Sequence, residues 1–223
     1  MCHLRCPKFL VSILFCVCCL EPCCSVFGET QSLYGDEALI EDVARATKGL
    51  MRLADDMASW DTPEQLGAAE FMYRSVDFSA PAEKEAIRSV AKQLLDTVIK
   101  QQERSGDKRG RAWKLLTSRA LIMRLILTEP TDKSYDALLG KAISCDGNNG
   151  LVLMLKAEYV WHQGRWGLGT YDDLEELCRS AAGAQVISTR DQNSKKNMAA
   201  ALQKAGLLDE RMCRCLVLLP VPE

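Results

Sequence analysis

The stretch from Ser134 to Trp166, SYDALLGKAISCDGNNGLVLMLKAEYVWHQGRW, constrains the fold more than any other part of the chain. Tyr135, Leu138, Leu139, Ala142 and Ile143 recur at three-and-four spacing, which predicts a helix with one apolar stripe. Asp146-Gly147-Asn148-Asn149-Gly150 follows, residues that tolerate positive φ or bond their own backbone and so break a helix. Leu151 to Gln163 is apolar on most sides, which predicts a second helix packed on more than one face. Gly164 is its expected stop.

The same periodicity recurs along the chain. Leu39, Val43, Ala46, Leu50, Leu53 and Met57 predict a helix that begins after Asp36 and ends at Trp60. Thr62-Pro63-Glu64-Gln65 is a start signal, with threonine as the cap, proline in the first turn and glutamine three residues on. Ser79-Ala80-Pro81 opens a third helix whose stripe is Ile87, Val90, Ala91, Leu94, Leu95, Val98 and Ile99. An exposed turn is expected over Ser105–Gly110. A helix then runs from Arg111 to Leu127, stopped before Pro130. Further helices are expected over Asp172–Ala182 and Asn197–Leu208, and Leu216–Leu219 reads as a last helical turn or an extended tail. Helix formers dominate, aromatics are sparse and no βαβ unit is visible, so the class is all-α. The helices pair as antiparallel hairpins.

Lys141-Ala142-Ile143-Ser144-Cys145-Asp146-Gly147-Asn148-Asn149 resembles the end of the second helix of a tetratricopeptide repeat, which commonly reads K-A-L-x-L-D-P-N-N. The helix after it is similar to the first helix of a following repeat. Leu153 stands at the large position, Ala157 at the small one, and Gln163-Gly164 at the Q-G turn. Trp113-x-x-Leu116 resembles the opening of a first helix, and Leu66-Gly67 a large–small pair inside one. The resemblance implies a short tetratricopeptide-like solenoid with best units over 111–149 and 150–183. It also implies that small side chains at Ala142 and Ala157 let neighbouring helices approach closely. Its inner groove would then be lined by Arg111, Lys114 and Ser118 of one unit and by Met154, Glu158, Trp161 and His162 of the next. That is a cationic lip beside an aromatic one, suited to an extended peptide or a partner helix. The competing reading makes Met154 and Trp161 core.

Residues 1–28 read as a secretory signal peptide. Arg5 and Lys8 precede a twelve-residue apolar run, Phe9–Leu20, and Val26-Phe27-Gly28 offers a cleavage site. Such a run is too short to span a bilayer, which takes roughly 20 residues. No transmembrane segment is expected in the mature chain. The export reading places the protein in the periplasm or outside the cell; the alternative is a membrane tether through the same segment. The remaining 29–223 form a single helical domain.

Arg5, Lys8 and Glu21 leave with the segment, so 28 Lys and Arg become 26 and 30 Asp and Glu become 29. A chain this close to neutral argues against nucleic acid as a partner. One basic cluster stands out within it, from Lys100 through Arg104, Lys108, Arg109, Arg111, Lys114 and Arg119 to Arg124. It is either a solvated rim or a docking patch for an acidic partner.

The chemistry-bearing residues are few. The mature chain has one histidine, His162, with no nucleophile adjacent in sequence, and a helix end is a favourable place for a cation. Other catalytic candidates reduce to the carboxylates Glu158, Asp172 and Asp173. Ser89-x-x-Lys92 lacks the companion motifs of acyl-transfer enzymes. Gly164, Gly167 and Gly169 follow a helix, whereas dinucleotide sites follow a strand. Seven of the eleven cysteines lie in the first 28 residues. Cys145, Cys178, Cys213 and Cys215 remain and are disulfide candidates in an exported chain. Cys213 and Cys215 are also a weak candidate pair for a soft metal, since residues two apart share a face only in extended backbone. No cofactor is expected.

Two functions fit these residues. One is an exported helical-repeat scaffold or adaptor that binds a protein or peptide partner in the cell envelope, with no catalysis. The alternative is a periplasmic helical carrier of a small apolar ligand or lipid, its cavity walled by 111–127 and 151–163.

Overall fold

The computed structural model describes residues 37–104, 110–169, 173–184 and 192–209, together with Met212 and Leu216. All regular structure among them is helical, with no strand. The helices are α1 (Glu37–Arg52), a short α2 (Ala54–Met57), α3 (Thr62–Ser75), α4 (Pro81–Arg104), α5 (Arg111–Ile126), α6 (Tyr135–Asp146), α7 (Gly150–Arg165), α8 (Leu174–Gly183) and α9 (Gln192–Lys204). A 3₁₀ turn, Val76–Phe78, joins α3 to α4.

The predicted first helix is broken. It stops at Arg52, and Ala54–Met57 is a separate turn that brings Met57 and Trp60 into the core. The cap of α3 also differs from expectation. Thr62 is already helical, and Asp61, in extended backbone, is the N-cap. Its backbone N–H donates to the Glu64 carboxylate, one half of a capping box. Gln65, which the sequence offered for that role, is buried and donates from Nε2 to the carbonyls of Met57 and Ala58, both at 3.0 Å.

The centre of the molecule is α3. Leu66, Ala68, Ala69, Phe71 and Met72 have no accessible surface, so the helix is covered on every side. It packs against α1, α4, α5 and α9. One of these approaches is unusually close. A Cβ built on Gly67 would lie 2.1 Å from the Asn197 carbonyl oxygen of α9, so only glycine lets the two backbones meet there. The α9 helix runs antiparallel to α3, with Ser194 beside Glu70 and Lys204 beside Glu64. Met198, Ala201 and Leu202 seal that contact.

From α3 onward, helices pack in sequence: α3 on α4, α4 on α5, α5 on α6, α6 on α7 and α7 on α8. In addition α3 touches α5, and α5 touches α7. Trp113 fastens α5 to the end of α4, its indole N–H donating to the Gln102 carbonyl at 2.8 Å.

Most of the buried hydrophobic side chains fall into two clusters. The large one takes residues from α1 through α7 and from α9; the small one consists of Ala157, Leu174 and Leu177, with Leu153, Val160, Trp161 and Cys178 packed on it. This division corrects the expected pairing of two alanines. Ala142 belongs to the large core and Ala157 to the small one, where it faces α8. The small side chain at 157 therefore admits the following helix, not α6.

The stop of α7 is also displaced. Gly164 is inside the helix, and Gly167, at φ 70°, ends it. The Leu168 N–H donates to the Gln163 carbonyl at 2.9 Å and the Gly167 N–H to the Gly164 carbonyl at 3.1 Å, a Schellman closure. An identical arrangement around Gly206 ends α9.

Candidate partner-binding surface

The residues expected to line a groove separate into three environments. Arg111 and Glu158 are exposed, and Lys114 is about half exposed. Lys114 is also occupied: its ammonium lies 2.9 Å from the Asp146 carboxylate, which links α5 to the end of α6. That hydrogen bond, with the carboxylate charge behind it, raises the Lys114 pKa above its ordinary value. Ser118 corrects the expectation. Its position on α5 faces inward, it is 2% exposed, and its hydroxyl has no hydrogen-bond partner among the described residues. A residue so placed lines no surface.

Met154, Trp161 and His162 are half-buried on α7. Trp161 packs on the small core, while Met154, which the competing reading also makes core, belongs to neither cluster. The Arg165 guanidinium sits 5.3 Å from the Trp161 ring centroid, and the His162 imidazole meets that ring edge-on at 4.9 Å. His162 in turn stacks on Trp166, with centroids 4.9 Å apart and planes 25° apart. Its Nε2 lies 3.7 Å from a Glu158 oxygen, too far for a hydrogen bond, and its Nδ1 is buried with no hydrogen-bond partner among the described residues. The last two turns of α7 thus carry a ladder of an arginine, two indoles and an imidazole. Across the helix, Tyr159 stacks on Tyr135 of α6 at 5.1 Å. Burial is the largest influence on the Tyr135 phenol and, with the nearby Glu158 charge, pushes its pKa up to about 12.

The basic cluster is likewise partly neutralised. Arg124 pairs with Asp96 at 2.9 Å, and Arg119 with Glu70 at 2.9 Å. The second pair belongs to a buried polar network that the sequence reading did not single out. Glu70, on α3, is 1% exposed and accepts a hydrogen bond from the Ser194 hydroxyl of α9 as well as the Arg119 contact from α5. Arg74, one turn along α3, reaches the same hydroxyl at 3.4 Å. Burial lowers the Arg74 pKa, with the Arg119 charge acting the same way and the Glu70 carboxylate opposing both. The available signal was Glu70 and Arg74 four apart inside LGAAEFMYRS, a stretch otherwise too apolar and small-residue-rich for a surface.

Cys145 and Cys178 carry free thiols, both half-buried, and burial raises both pKa values. Cys213, Cys215 and Asp172 lie outside the described residues, as do the expected signal peptide and positions 105–109 of the expected turn. Asp173 immediately precedes α8 and is exposed. Among the described residues no three His, Cys, Asp or Glu side chains are grouped so as to hold a metal ion. No helix described is long and apolar enough to cross a membrane.

A cleft of about 210 Å³ opens between α1 and α4, lined by Thr47, Met51, Ser79, Ala86 and Ile87, with Lys48 and Glu83 paired at 3.2 Å. It is not the cavity expected between 111–127 and 151–163, and it is smaller than the usual ligand site.

Comparison with known proteins finds no matching family model, no matching curated protein and no matching solved structure.

Proposed function

We propose that the chain is an exported, tetratricopeptide-like array of helical hairpins that acts as a scaffold or adaptor for a protein or peptide partner in the cell envelope, without chemistry of its own. Three hairpins would make up the array: α3 with α4, α5 with α6, and α7 with α8. The observation that carries this reading is the pattern of contacts. Each helix from α3 to α8 packs on the next, and the first helices of successive hairpins, α3, α5 and α7, also touch one another. That alternation is how a stack of hairpins lays its first helices along one face.

The working surface in this reading is what remains uncovered on that face: Arg111 and Lys114 on α5, and Met154, Glu158, Trp161 and His162 on α7. At the other end the face of α3 is closed by the chain's own α9. The array is thus capped, leaving the α5–α7 end for a partner. Aromatic and arginine side chains at such a surface are the types that carry most binding energy in protein interfaces. An acidic partner suits the cationic lip.

The test is capture of partners from the native envelope by the intact chain, repeated with Arg111→Glu. Charge reversal at an exposed arginine should weaken capture of an acidic partner about 10-fold while leaving the thermal melt unchanged. Capture unaffected by the reversal would remove the α5 lip from the reading.

A further inference from the structure

We infer that the turn closing α7, Arg165-Trp166-Gly167-Leu168, is a contact site for the interfacial layer of a lipid bilayer. The inference is independent of any protein partner.

Trp166 and Leu168 are the large hydrophobic side chains left exposed among the described residues, at 38% and 71%. They stand two positions apart on one turn. A Schellman turn usually tucks its C″ side chain back onto the helix. Leu168 occupies that position and is nonetheless the most exposed large apolar side chain described. Two backbone hydrogen bonds, to the Gln163 and Gly164 carbonyls, close the turn. Space is open at its apex: a Cβ built on Gly167 meets nothing within 4 Å.

The surrounding chemistry indicates which environment accepts such a projection. Past the exposed Glu158, residues 159–169 include no acidic side chain, and the end of α7 carries Trp161, His162, Arg165 and Trp166. Indoles and phenols with an arginine beside them are the side chains that settle where a bilayer is half wet, the rings among the glycerol groups and the guanidinium at the phosphates. A protruding pair of apolar side chains needs no shape-matched pocket at a fluid interface, whereas a protein partner would have to supply one. The acids Asp173, Glu175 and Glu176 open the next helix, so this end has no large positive field. Attachment therefore depends on partition of the Trp166 and Leu168 side chains, with Arg165 adding a short-range phosphate contact. Two side chains give reversible binding only.

The experiment uses the full chain with vesicles of equal parts phosphatidylcholine and phosphatidylglycerol, some carrying brominated acyl chains that quench tryptophan at short range. Parent, Trp166→Phe and Leu168→Ser are compared, with far-UV circular dichroism and thermal melts as fold controls. Both positions are exposed, so the controls should not change. The expected result is quenching in the parent, loss of most of the quenchable emission in Trp166→Phe, and at least ~10-fold weaker vesicle partition in Leu168→Ser. Partition should fall little with added salt. Equal quenching in parent and Trp166→Phe would overturn the inference, because the vesicle contact would then lie elsewhere, the apolar Phe9–Leu20 run included. So would the absence of vesicle binding, or variants that lose a protein partner while vesicle partition is untouched.

Discussion

The two ends of this molecule are held by different physics. Around α3, four helices converge on a helix without an exposed face, and the contact includes a carboxylate, an arginine and a serine with almost no access to water, with a second arginine, Arg119, largely covered. At the other end, α7 and α8 close over three buried side chains, Ala157, Leu174 and Leu177, with partly exposed residues around them. The first region is assembled from segments more than a hundred residues apart; the second is a single hairpin. A small local core opens without unfolding the remainder, while a many-sided one opens only with the whole. The α7–α8 end also carries the partly exposed aromatic ladder.

The largest expected effect tests the α3 side of this contrast. Glu70→Ala removes the buried carboxylate that pairs with Arg119 at 2.9 Å and accepts from the Ser194 hydroxyl of α9. The expected loss is about 3–5 kcal/mol by urea denaturation, with the α9 amides losing hydrogen-exchange protection as far as those of α3. If Glu70→Ala cost less than about 1 kcal/mol, the network would not be what holds α9.

Leu177→Ala is the matching test at the other end. It should cost about 2 kcal/mol, because the site borders solvent and can collapse. Its signature is position-specific: α8 and the second half of α7 should exchange faster while α3 keeps the protection of the parent. Equal acceleration in α3 would show that the two clusters unfold as one and erase the distinction.

The smallest effect is set by pH. Burial favours the neutral Tyr135 phenol and raises its pKa in the folded state from 10.0 to about 12. The protonated form is thus preferred by the folded chain. Its contribution is fully present below pH 10 and is lost as pH rises from 10 through 12. Between pH 9 and pH 11 the parent should lose up to about 1 kcal/mol more than Tyr135→Phe, allowing for solvent screening. The urea midpoints of the two proteins at the two pH values give that difference directly. Identical pH dependence would mean that the phenol is in contact with water.

How far residues alone reached can be seen helix by helix. The stripes Leu39–Val43–Ala46–Leu50 and Ile87–Ala91–Leu94–Leu95–Val98 are the buried faces of α1 and α4, because neighbours on a helix surface are three and four apart whatever covers them. Ends were read less well where a side chain had two possible duties. Gln65 suited a capping box and instead satisfies the carbonyls that close α2; Gly164 suited a stop and instead lies within the helix, one turn before the positive-φ glycine. Of the candidate surface, the aromatic run on α7 is legible in the residues alone, whereas Ser118 on α5 shares the spacing of Arg111 and Lys114 and points in. The spacing of Arg111, Lys114 and Ser118 marks a common face, and which helix lies over that face is not a local property.

The sequence by itself determined that this chain is helical, where most of its helices begin and which side of each is apolar, since these follow from backbone sterics and side-chain spacing within one or two turns. Only the tertiary structure decided that α9 returns to cover α3 and that Ala157 serves α8. It also decided that Glu70 is a buried charge paired with Arg119. The reason is physical: an apolar stripe states how much surface must leave water, and any sufficiently apolar neighbour satisfies it. Gly67 selects among those neighbours by letting one backbone come close enough to exclude the rest.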